Sequence, residues 1–332
     1  MPGLLVSHQF NARYGADFVA AGKRNAVNVE MLVLPPDPEA RIAETDATRA
    51  DIAYFSSDII PLHTKQFFSA TRKAPALKWM QVFNAGVDPP VFASVLERVV
   101  RLTTSSGTAA EPIAQTAIAG MLMLARNFPR WLAGQRERRW DPMPPADFPR
   151  DLRGQTMLVY GLGAIGVEIA RLARLLGLKI IGVRRSPARV EHVDEMHTPD
   201  KLGELLPRCD WLTIACPLNA ETRGMFNAAL LAKLPRGARV INISRGEIVD
   251  EPALIAALQG AQLAGAYLDV FVQEPLPASS PLWDLPNVIV TPHTSWSSSR
   301  VLDRSVDLFC DNLRRFAAGE PLLNVVDPRQ GY

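Results

Sequence analysis

The sequence contains few cysteines and almost no net charge. Its three cysteines, Cys209, Cys216 and Cys310, form no CxxC or zinc-ligand pattern. An odd number of cysteines without such a pattern is typical of buried thiols in a reducing cytoplasm. We therefore expect neither a disulfide nor a metal site. With 36 basic and 34 acidic residues the net charge is +2. Electrostatics therefore gives no reason to expect nucleic acid or a membrane surface as a partner.

Long apolar runs are also missing. No stretch approaches the ~20 apolar residues that a membrane span requires. The N-terminus has no basic region followed by a long apolar run, so we expect no signal peptide. The composition, 48% hydrophobic and 21% charged over 332 residues, is ordinary for a globular protein and sufficient for two domains with separate cores. The sequence thus predicts a cytoplasmic protein of two domains.

Three glycines, Gly161, Gly163 and Gly166, lie between a predicted strand at 157–160 and a predicted helix, and a second strand follows at 179–183. This βαβ context favours a dinucleotide-binding motif over a tight turn that binds nothing. Gly161 permits the turn, Gly163 lets the backbone approach a pyrophosphate, and Gly166 lets the helix pack against the strand. The helix N-terminus adds N–H groups and a positive dipole. The full motif is Gly161-Leu162-Gly163-Ala164-Ile165-Gly166.

Strand and helix patterns alternate along most of the chain, as in doubly wound parallel sheets. Before the glycine motif, strands are predicted at 4–7, 29–34, 52–55, 79–83 and 99–103. Helices are predicted there at 12–21, 39–43, 64–71, 90–96 and 109–127. After the motif, strands are predicted at 211–215, 238–243, 263–268 and 288–290. Helices are predicted at 227–233, 251–259 and 297–318.

These patterns predict two Rossmann-like α/β domains, each a doubly wound parallel sheet. The dinucleotide-binding domain is predicted at 105–295. The other domain is predicted at 1–104 together with 296–332, because the last helix is expected to return to the first domain. It has no such glycine motif, so we expect it to hold something other than the nucleotide. A short basic stretch at 130–140 is interpreted as a solvated or subunit-facing helix rather than a nucleic-acid contact.

Polar residues follow several strands, where parallel sheets place their ligand sites. Arg245 at such an end can bind a carboxylate through two parallel hydrogen bonds. His293 with a carboxylate, Glu274, is the minimum set for proton transfer, because the carboxylate orients the imidazole and favours its charged form. Taken by itself, each of these residues could equally belong to a surface ion pair or a capped turn. The loop at 84–88 could offer N–H groups to an anion, although its residues alone favour a plain turn.

Four segments carry a family resemblance: 161–166 (GLGAIG), 242–251 (NISRGEIVDE), 266–277 (AYLDVFVQEPLP) and 291–293 (TPH). Together they resemble the D-isomer-specific 2-hydroxyacid dehydrogenases over most of the chain, most closely from 154 to 295. The resemblance implies two Rossmann-like domains with a cleft between them, in a homodimer. It also implies that the domain at 1–104 with 296–332 is a flavodoxin-like substrate-binding domain.

The resemblance also implies a role for each site residue. His293 would be the general acid and base, Glu274 its partner, and Arg245 the clamp on the substrate carboxylate and carbonyl. Asp269 would support either the histidine or the ribose side of the cofactor. The predicted substrate contacts are Asn84, Ala85, Gly86, Val87, Arg245 and Trp296, with Tyr54 and Phe55 as further candidates for the side-chain pocket. The predicted cofactor contacts are the six residues of the glycine motif, Arg184, Arg185, Ser186, Cys216, Pro217, Thr222, Ile243, Ser244, Asp269 and His293.

Differences between this sequence and related dehydrogenase families narrow the range of possible substrates. Formate dehydrogenases resemble this family but carry glutamine at the position of Glu274. Phosphoglycerate dehydrogenases carry an arginine before the loop glycine, where this chain has Val82 and Phe83, and they often add a C-terminal regulatory domain that is not expected here. The remaining candidate substrates are small 2-oxo acids. Glyoxylate and hydroxypyruvate are the preferred candidates, and bulkier pyruvates are the alternative. The alternative is a corepressor-like, nucleotide-sensing binding protein of the same fold, although such relatives carry extended tails.

The residues after the second strand of the βαβ unit predict the cofactor. Proteins built for NAD usually place Asp or Glu there to accept hydrogen bonds from the ribose hydroxyls. Here Val183 is followed by Arg184, Arg185 and Ser186. Arginine would bind the additional 2′-phosphate of NADP through charge-assisted hydrogen bonds. We therefore predict NADP(H) over NAD(H), the alternative being that both arginines are simply solvated.

Overall fold

A computed structural model describes residues 1–24, 28–87, 90–98 and 100–327. Contacts divide the chain into two compact units, Met1–Thr108 with Ser299–Tyr332, and Ala109–Ser298. The predicted boundaries stand a few residues earlier, at 104/105 and 295/296. The last helix is part of the first unit, so that unit is built from both ends of the chain.

The strands are β1 (Gly3–Val6), β2 (Glu30–Val33), β3 (Ala50–Phe55), β4 (Trp79–Val82), β5 (Arg101–Thr104), β6 (Thr156–Tyr160), β7 (Lys179–Val183), β8 (Glu195–His197), β9 (Trp211–Ile214), β10 (Ala238–Asn242), β11 (Leu263–Leu268) and β12 (Val288–Val290). The α-helices are α1 (His8–Arg24), α2 (Glu44–Ala47), α3 (Thr64–Arg72), α4 (Ala93–Leu96), α5 (Ala110–Ala125), α6 (Phe128–Arg136), α7 (Ala164–Leu175), α8 (Leu202–Leu205), α9 (Ala228–Leu231), α10 (Glu251–Gln259) and α11 (Val301–Ala318). Short 3-10 helices lie at Ser57–Ile59, Pro90–Phe92, Pro145–Asp147, Pro199–Lys201, Leu206–Arg208, Gly246–Ile248 and Pro281–Trp283.

Each unit contains one parallel sheet. Among the described residues, the first sheet has five strands in the order β2-β1-β3-β4-β5, and the second has seven in the order β12-β11-β10-β9-β6-β7-β8. Two parallel sheets of this kind confirm the predicted fold class. The carboxyl ends of all strands in one sheet lie at the same edge, where the connecting loops collect polar residues.

Helices cover both faces of the first sheet, which corrects the prediction for Tyr54 and Phe55. Tyr54 is fully buried in the core that α1 and α11 complete. Phe55, the next residue of β3, is 1% exposed and packs into the opposite core with α3. Side chains alternate along a strand, so consecutive residues enter opposite cores. Both rings are therefore part of the two cores of this sheet and are not exposed at an open surface.

The second sheet is covered in the same way. Met157, Val159 and Trp211 pack on the face that α5 and α7 cover. Leu158 and Tyr160 pack on the other face, against the core to which α8, α9 and α10 contribute. Strand β6 is therefore apolar on both sides, as expected for a central strand of a parallel sheet between two helical layers.

Most predicted elements agree with the structure, and the exceptions have local causes. The predicted helix at 39–43 is wrong, because the Asp37 side chain accepts a hydrogen bond from the Glu39 N–H and bends the chain into a turn before α2. The short strand β8 was not predicted, and α11 begins four residues later than expected. In the predicted strand at 99–103, Val99 lies outside the described residues. Along the described part of the chain, no helix combines the length and apolar composition needed to cross a bilayer.

Candidate active site

The glycine motif forms a tight turn from the end of β6 into α7. Gly161 has φ +100°, in the left-handed region that favours glycine. A Cβ on Gly166 would overlap the Gly161 carbonyl, so the first turn of α7 approaches the end of the strand directly. A Cβ on Gly163 would meet nothing within 4 Å. The open side of the turn is therefore at Gly163, beside the first residue of the helix.

This turn fits the pyrophosphate of a dinucleotide. The N-cap of α7 is Gly163, and no side chain among the described residues caps this helix start. Its N-terminal N–H groups and the positive end of its dipole can therefore interact with an anion. Leu162 is buried and anchors the turn, whereas Gly163 and Ala164 are exposed and Ile165 is half-buried.

The predicted 2′-phosphate residues follow β7 directly. Arg184 is half-buried, and Arg185 and Ser186 are exposed. The Arg184 guanidinium donates from Nε to the Ser186 carbonyl at 2.7 Å and from Nη2 to the Ala188 carbonyl at 3.1 Å. Arg184 thus also shapes the loop that carries the other two residues, a role that the sequence pattern did not indicate.

The loop after β9 is held by its own side chains. The Thr222 hydroxyl, in a residue only 6% exposed, donates to the Pro217 carbonyl at 2.8 Å and accepts from the Asn219 N–H at 2.9 Å. The Cys216 carbonyl accepts from the Ser244 hydroxyl. Burial raises the pKa of the Cys216 thiol to about 12, so it stays protonated. Thr222 therefore shapes this loop, in which Pro217 is exposed.

A side chain that the sequence reasoning missed, Asn242, holds the segment carrying Arg245. At the end of β10, Asn242 Oδ1 accepts from the Ser244 N–H at 3.1 Å and its Nδ2 donates to the Arg245 carbonyl at 3.0 Å. Ile243 is 6% exposed and anchors the same segment in the core. The Arg245 guanidinium donates from Nη1 to the Ser244 carbonyl at 2.8 Å.

Gly246 brings this segment against the turn that carries Glu274. A Cβ on Gly246 would overlap the backbone of Phe271 and Val272, so only glycine allows the two segments to approach this closely. The positive charge of Arg245 then lies near enough to Glu274 to contribute to lowering its pKa. The strand ends of β10 and β11 thereby bring together two residues that the sequence places 29 positions apart.

The histidine and the carboxylate are in direct contact. His293 Nδ1 lies 2.7 Å from Glu274 Oε2, and both side chains remain partly exposed, at 40% and 35%. The other carboxylate oxygen accepts from the Phe271 N–H at 3.0 Å. Burial alone would raise the pKa of Glu274, but the hydrogen bonds from His293 and Phe271 and the charges of His293 and Arg245 hold it below its usual range. Glu274 is therefore ionised at neutral pH.

Asp269 holds the loop that carries His293. It is 1% exposed, and its Oδ1 accepts from the Thr291 hydroxyl at 2.6 Å and from the Thr294 N–H at 3.0 Å. Its Oδ2 accepts from the Ser295 N–H at 3.2 Å and from the Ser295 hydroxyl. These contacts correspond to the first of its two predicted roles, support of the histidine. Its contact with the ribose side of the cofactor stays a prediction.

Besides Arg245, the predicted substrate contacts fall in two loops, one in each unit. In the second unit, Trp296 is 38% exposed, and its Nε1 donates to the His293 carbonyl at 3.1 Å. In the first unit, the Asn84 carbonyl accepts from the Ser105 N–H at 2.9 Å, and Val87 is 6% exposed and anchors the loop in the core. Ala85 is exposed and Gly86 half-buried. Asp88, which the sequence reasoning placed in the same loop, lies outside the described residues.

Comparison with known proteins identifies the family. The model of the D-isomer specific 2-hydroxyacid dehydrogenase, NAD binding domain, matches residues 118–295, more than half of the chain. The glyoxylate/hydroxypyruvate reductase B of Pectobacterium carotovorum is 34% identical over 259 residues, which cover 77% of this chain and 81% of that protein. The chain therefore belongs to the D-isomer specific 2-hydroxyacid dehydrogenases.

Solved structures agree over the whole chain. A D-isomer specific 2-hydroxyacid dehydrogenase of Xanthobacter autotrophicus in complex with NADPH and MES has a TM-score of 0.79 and 32% identity, and the match covers 100% of this chain and 99% of that one. An NADPH-dependent glyoxylate/hydroxypyruvate reductase of Sinorhizobium meliloti in complex with NADP and sulfate has a TM-score of 0.77 and 28% identity, with the same coverage. The protein is an NAD(P)-dependent oxidoreductase of this family.

The contact between Glu274 and His293 predicts a pH dependence. Because the pKa of Glu274 is depressed in the folded protein, the stability that its carboxylate contributes is fully present above the ordinary glutamate pKa and is lost as the pH falls through the lower, folded-state value. Glu274→Gln should therefore lower the midpoint of thermal unfolding at neutral pH and have little effect at a pH below that folded-state value. Thermal unfolding of the parent and the variant at the two pH values checks this, and an equal decrease at both would contradict it.

Proposed function

We propose that this protein reduces a small 2-oxo acid, glyoxylate or hydroxypyruvate, to the D-2-hydroxy acid with NADPH. The observation that carries the proposal is the 2.7 Å contact between His293 and Glu274. The charge of Arg245 acts on the same carboxylate, and the dinucleotide motif lies in the same unit. A proton donor, an orienting carboxylate and a cation for an oxyanion are the groups that a carbonyl reduction needs.

His293 is the proton donor in this proposal. A carboxylate only accepts hydrogen bonds, so the imidazole donates from Nδ1 to Glu274 and its other nitrogen, Nε2, carries the exchanged proton. When bound, the nicotinamide supplies the hydride that reaches the carbonyl carbon. His293 gives its proton to the carbonyl oxygen, and the product is a 2-hydroxy acid. In the reverse direction the same nitrogen accepts the hydroxyl proton.

Arg245 and the loop at 84–87 would bind the substrate. The Arg245 guanidinium can pair with the carboxylate and stabilise the negative charge that develops on the carbonyl oxygen. The backbone N–H groups of the exposed Ala85 and the half-buried Gly86 can donate to the carboxylate. Among the described residues, the buried Asn84 Oδ1 has no hydrogen-bond partner. A buried acceptor without a donor is uncommon, and this one lies in the loop that the family resemblance assigns to the substrate.

The role of His293 is tested by its replacement with alanine. Loss of a general acid typically costs 10²–10⁴-fold, so His293→Ala should lower kcat for hydroxypyruvate at least ~10²-fold. The affinity for NADPH, measured by fluorescence titration, should change little, and an unchanged affinity would show that the variant is folded. Turnover near that of the parent would remove His293 from the mechanism.

NADPH is the proposed cofactor because Arg184, Arg185 and Ser186 follow β7 with no carboxylate among them. The cofactor-bound relatives described above, with NADPH and with NADP, support the same choice. Arg184 also holds the Ser186 and Ala188 carbonyls, so it would act both as a ligand and as a support for the loop.

The parent should show a higher kcat/KM with NADPH than with NADH, and Arg184→Asp should lower that ratio. Hydrogen bonds to charged groups contribute about 1.5–3 kcal/mol, so the expected decrease is roughly 10- to 100-fold. The matched control is Arg236→Asp, the same charge change at an exposed residue before β10, at the opposite edge of the sheet. A parent that prefers NADH, or an equal decrease in both variants, would contradict the assignment.

A homodimer is proposed for the assembly, in a reducing cytoplasm that the three free cysteines favour. Helix α6 exposes Phe128, Trp131 and Leu132, at 42%, 38% and 38%, and the two aromatic rings form a T-shaped pair. An exposed aromatic cluster of this kind favours association with an apolar surface.

Light scattering should therefore give about twice the 36.4 kDa mass of the chain. Trp131→Glu should raise the dissociation constant of the dimer at least ~10-fold, as expected for an interface aromatic. Leu175→Glu, at another exposed apolar residue of the same unit, is the control. A monomeric parent, or no difference between the variants, would exclude α6 as the interface.

A further inference from the structure

A second carboxylate, that of Glu251, contacts the turn that carries Glu274. Glu251 is the first residue of α10, and its Oε2 accepts a hydrogen bond from the Val272 N–H at 3.1 Å, 21 residues further along the chain. Val272 stands two residues before Glu274. The turn is therefore tied to the start of α10 by one side-chain contact.

The neighbouring backbone group is also occupied by a carboxylate. The Phe271 N–H donates to Glu274 Oε1 at 3.0 Å, while Glu274 Oε2 contacts His293. Two consecutive N–H groups of one turn are thus held by Glu274 and Glu251. On its other side, the turn packs against Gly246, where a Cβ would overlap the Phe271 and Val272 backbone. The position of the Glu274 carboxylate follows from these three constraints.

A favourable interaction with the helix dipole is the simpler explanation for an acidic residue in the first turn of a helix. It is incomplete here for two reasons. The helix already has a capping side chain, because Asp250 accepts a hydrogen bond from the Ala253 N–H at 3.1 Å. The Glu251 oxygen, moreover, is bonded to the Val272 N–H in the turn, outside α10.

We propose that Glu251 is a positioning residue that holds the 271–274 turn so that the Glu274 carboxylate meets His293 Nδ1. As far as catalysis is concerned, the proposal rests on the proposed function, because it takes His293 to be the proton donor. Without Glu251 the turn has more freedom, the carboxylate spends less time on the imidazole, and the charged imidazole is less favoured. The charged groups around the pair are Arg245 after β10, Asp269 at the end of β11 and Glu251 itself.

Two variants separate positioning from charge. Glu251→Ala removes both the acceptor and the charge, whereas Glu251→Gln removes the charge and keeps an acceptor oxygen for the Val272 N–H. If Glu251 acts through the helix dipole, the two variants should behave alike. If it acts as the acceptor, glutamine should restore what alanine loses.

The direct readout is the pH titration of the His293 ring followed by NMR, with His293→Ala used to assign its signal. The midpoint should move to lower pH in Glu251→Ala and stay near the parent value in Glu251→Gln. In the Glu274→Gln background, Glu251→Ala should produce no further shift, because Glu251 acts through Glu274. An unchanged midpoint in Glu251→Ala, or equal shifts in both single variants, would overturn the proposal.

Steady-state kinetics gives the second readout. For hydroxypyruvate and NADPH, kcat should fall about 3- to 10-fold in Glu251→Ala, as expected for one hydrogen bond at a partly exposed site, with the KM for NADPH unchanged. Glu251→Gln should remain within about twofold of the parent. A parent that does not reduce 2-oxo acids would refute the proposed function, while the NMR titration would still decide the role of Glu251.

Discussion

Strand β11 ends at Leu268, and the next side chain, Asp269, turns onto the loop that follows β12. Its two oxygens accept hydrogen bonds from Thr291, Thr294 and Ser295 on both sides of His293. His293 itself has φ +50°, a backbone conformation that costs free energy for a residue other than glycine and needs support from its surroundings. The buried carboxylate supplies that support, and the contact between His293 and Glu274 depends on it.

The same edge of the sheet is built from close backbone approaches. At the nucleotide motif the first turn of α7 lies against the Gly161 carbonyl, and at Gly246 the segment after β10 lies against Phe271. Neither position has room for a Cβ. Side chains then hold the loops: Asn242 at the end of β10 holds the Arg245 segment, and Glu251 at the start of α10 holds the turn of Glu274. The ionised and hydrogen-bonding groups are thus positioned largely by carboxylates and amides that do not themselves take part in proton transfer.

Much of this arrangement could be predicted from local patterns. The glycine spacing, the apolar strands and helix α10 have short-range signals, and the family motifs indicate Arg245, Glu274 and His293. The contacts of Asn242, Asp269 and Glu251 depend on which strand ends become neighbours, and no local pattern carries that information. Tyr54 and Phe55 were misjudged for a related reason, since an aromatic residue looks the same in the sequence whether helices cover one face of its strand or both.

The most direct test of the central claim is the product formed from hydroxypyruvate and NADPH by the purified protein. The proposed reaction oxidises one NADPH for each hydroxypyruvate consumed, because one hydride reaches the carbonyl carbon and one proton reaches the oxygen. Chiral analysis should then identify D-glycerate as the product. Absence of NADPH oxidation with both hydroxypyruvate and glyoxylate, or formation of the L isomer, would contradict the account.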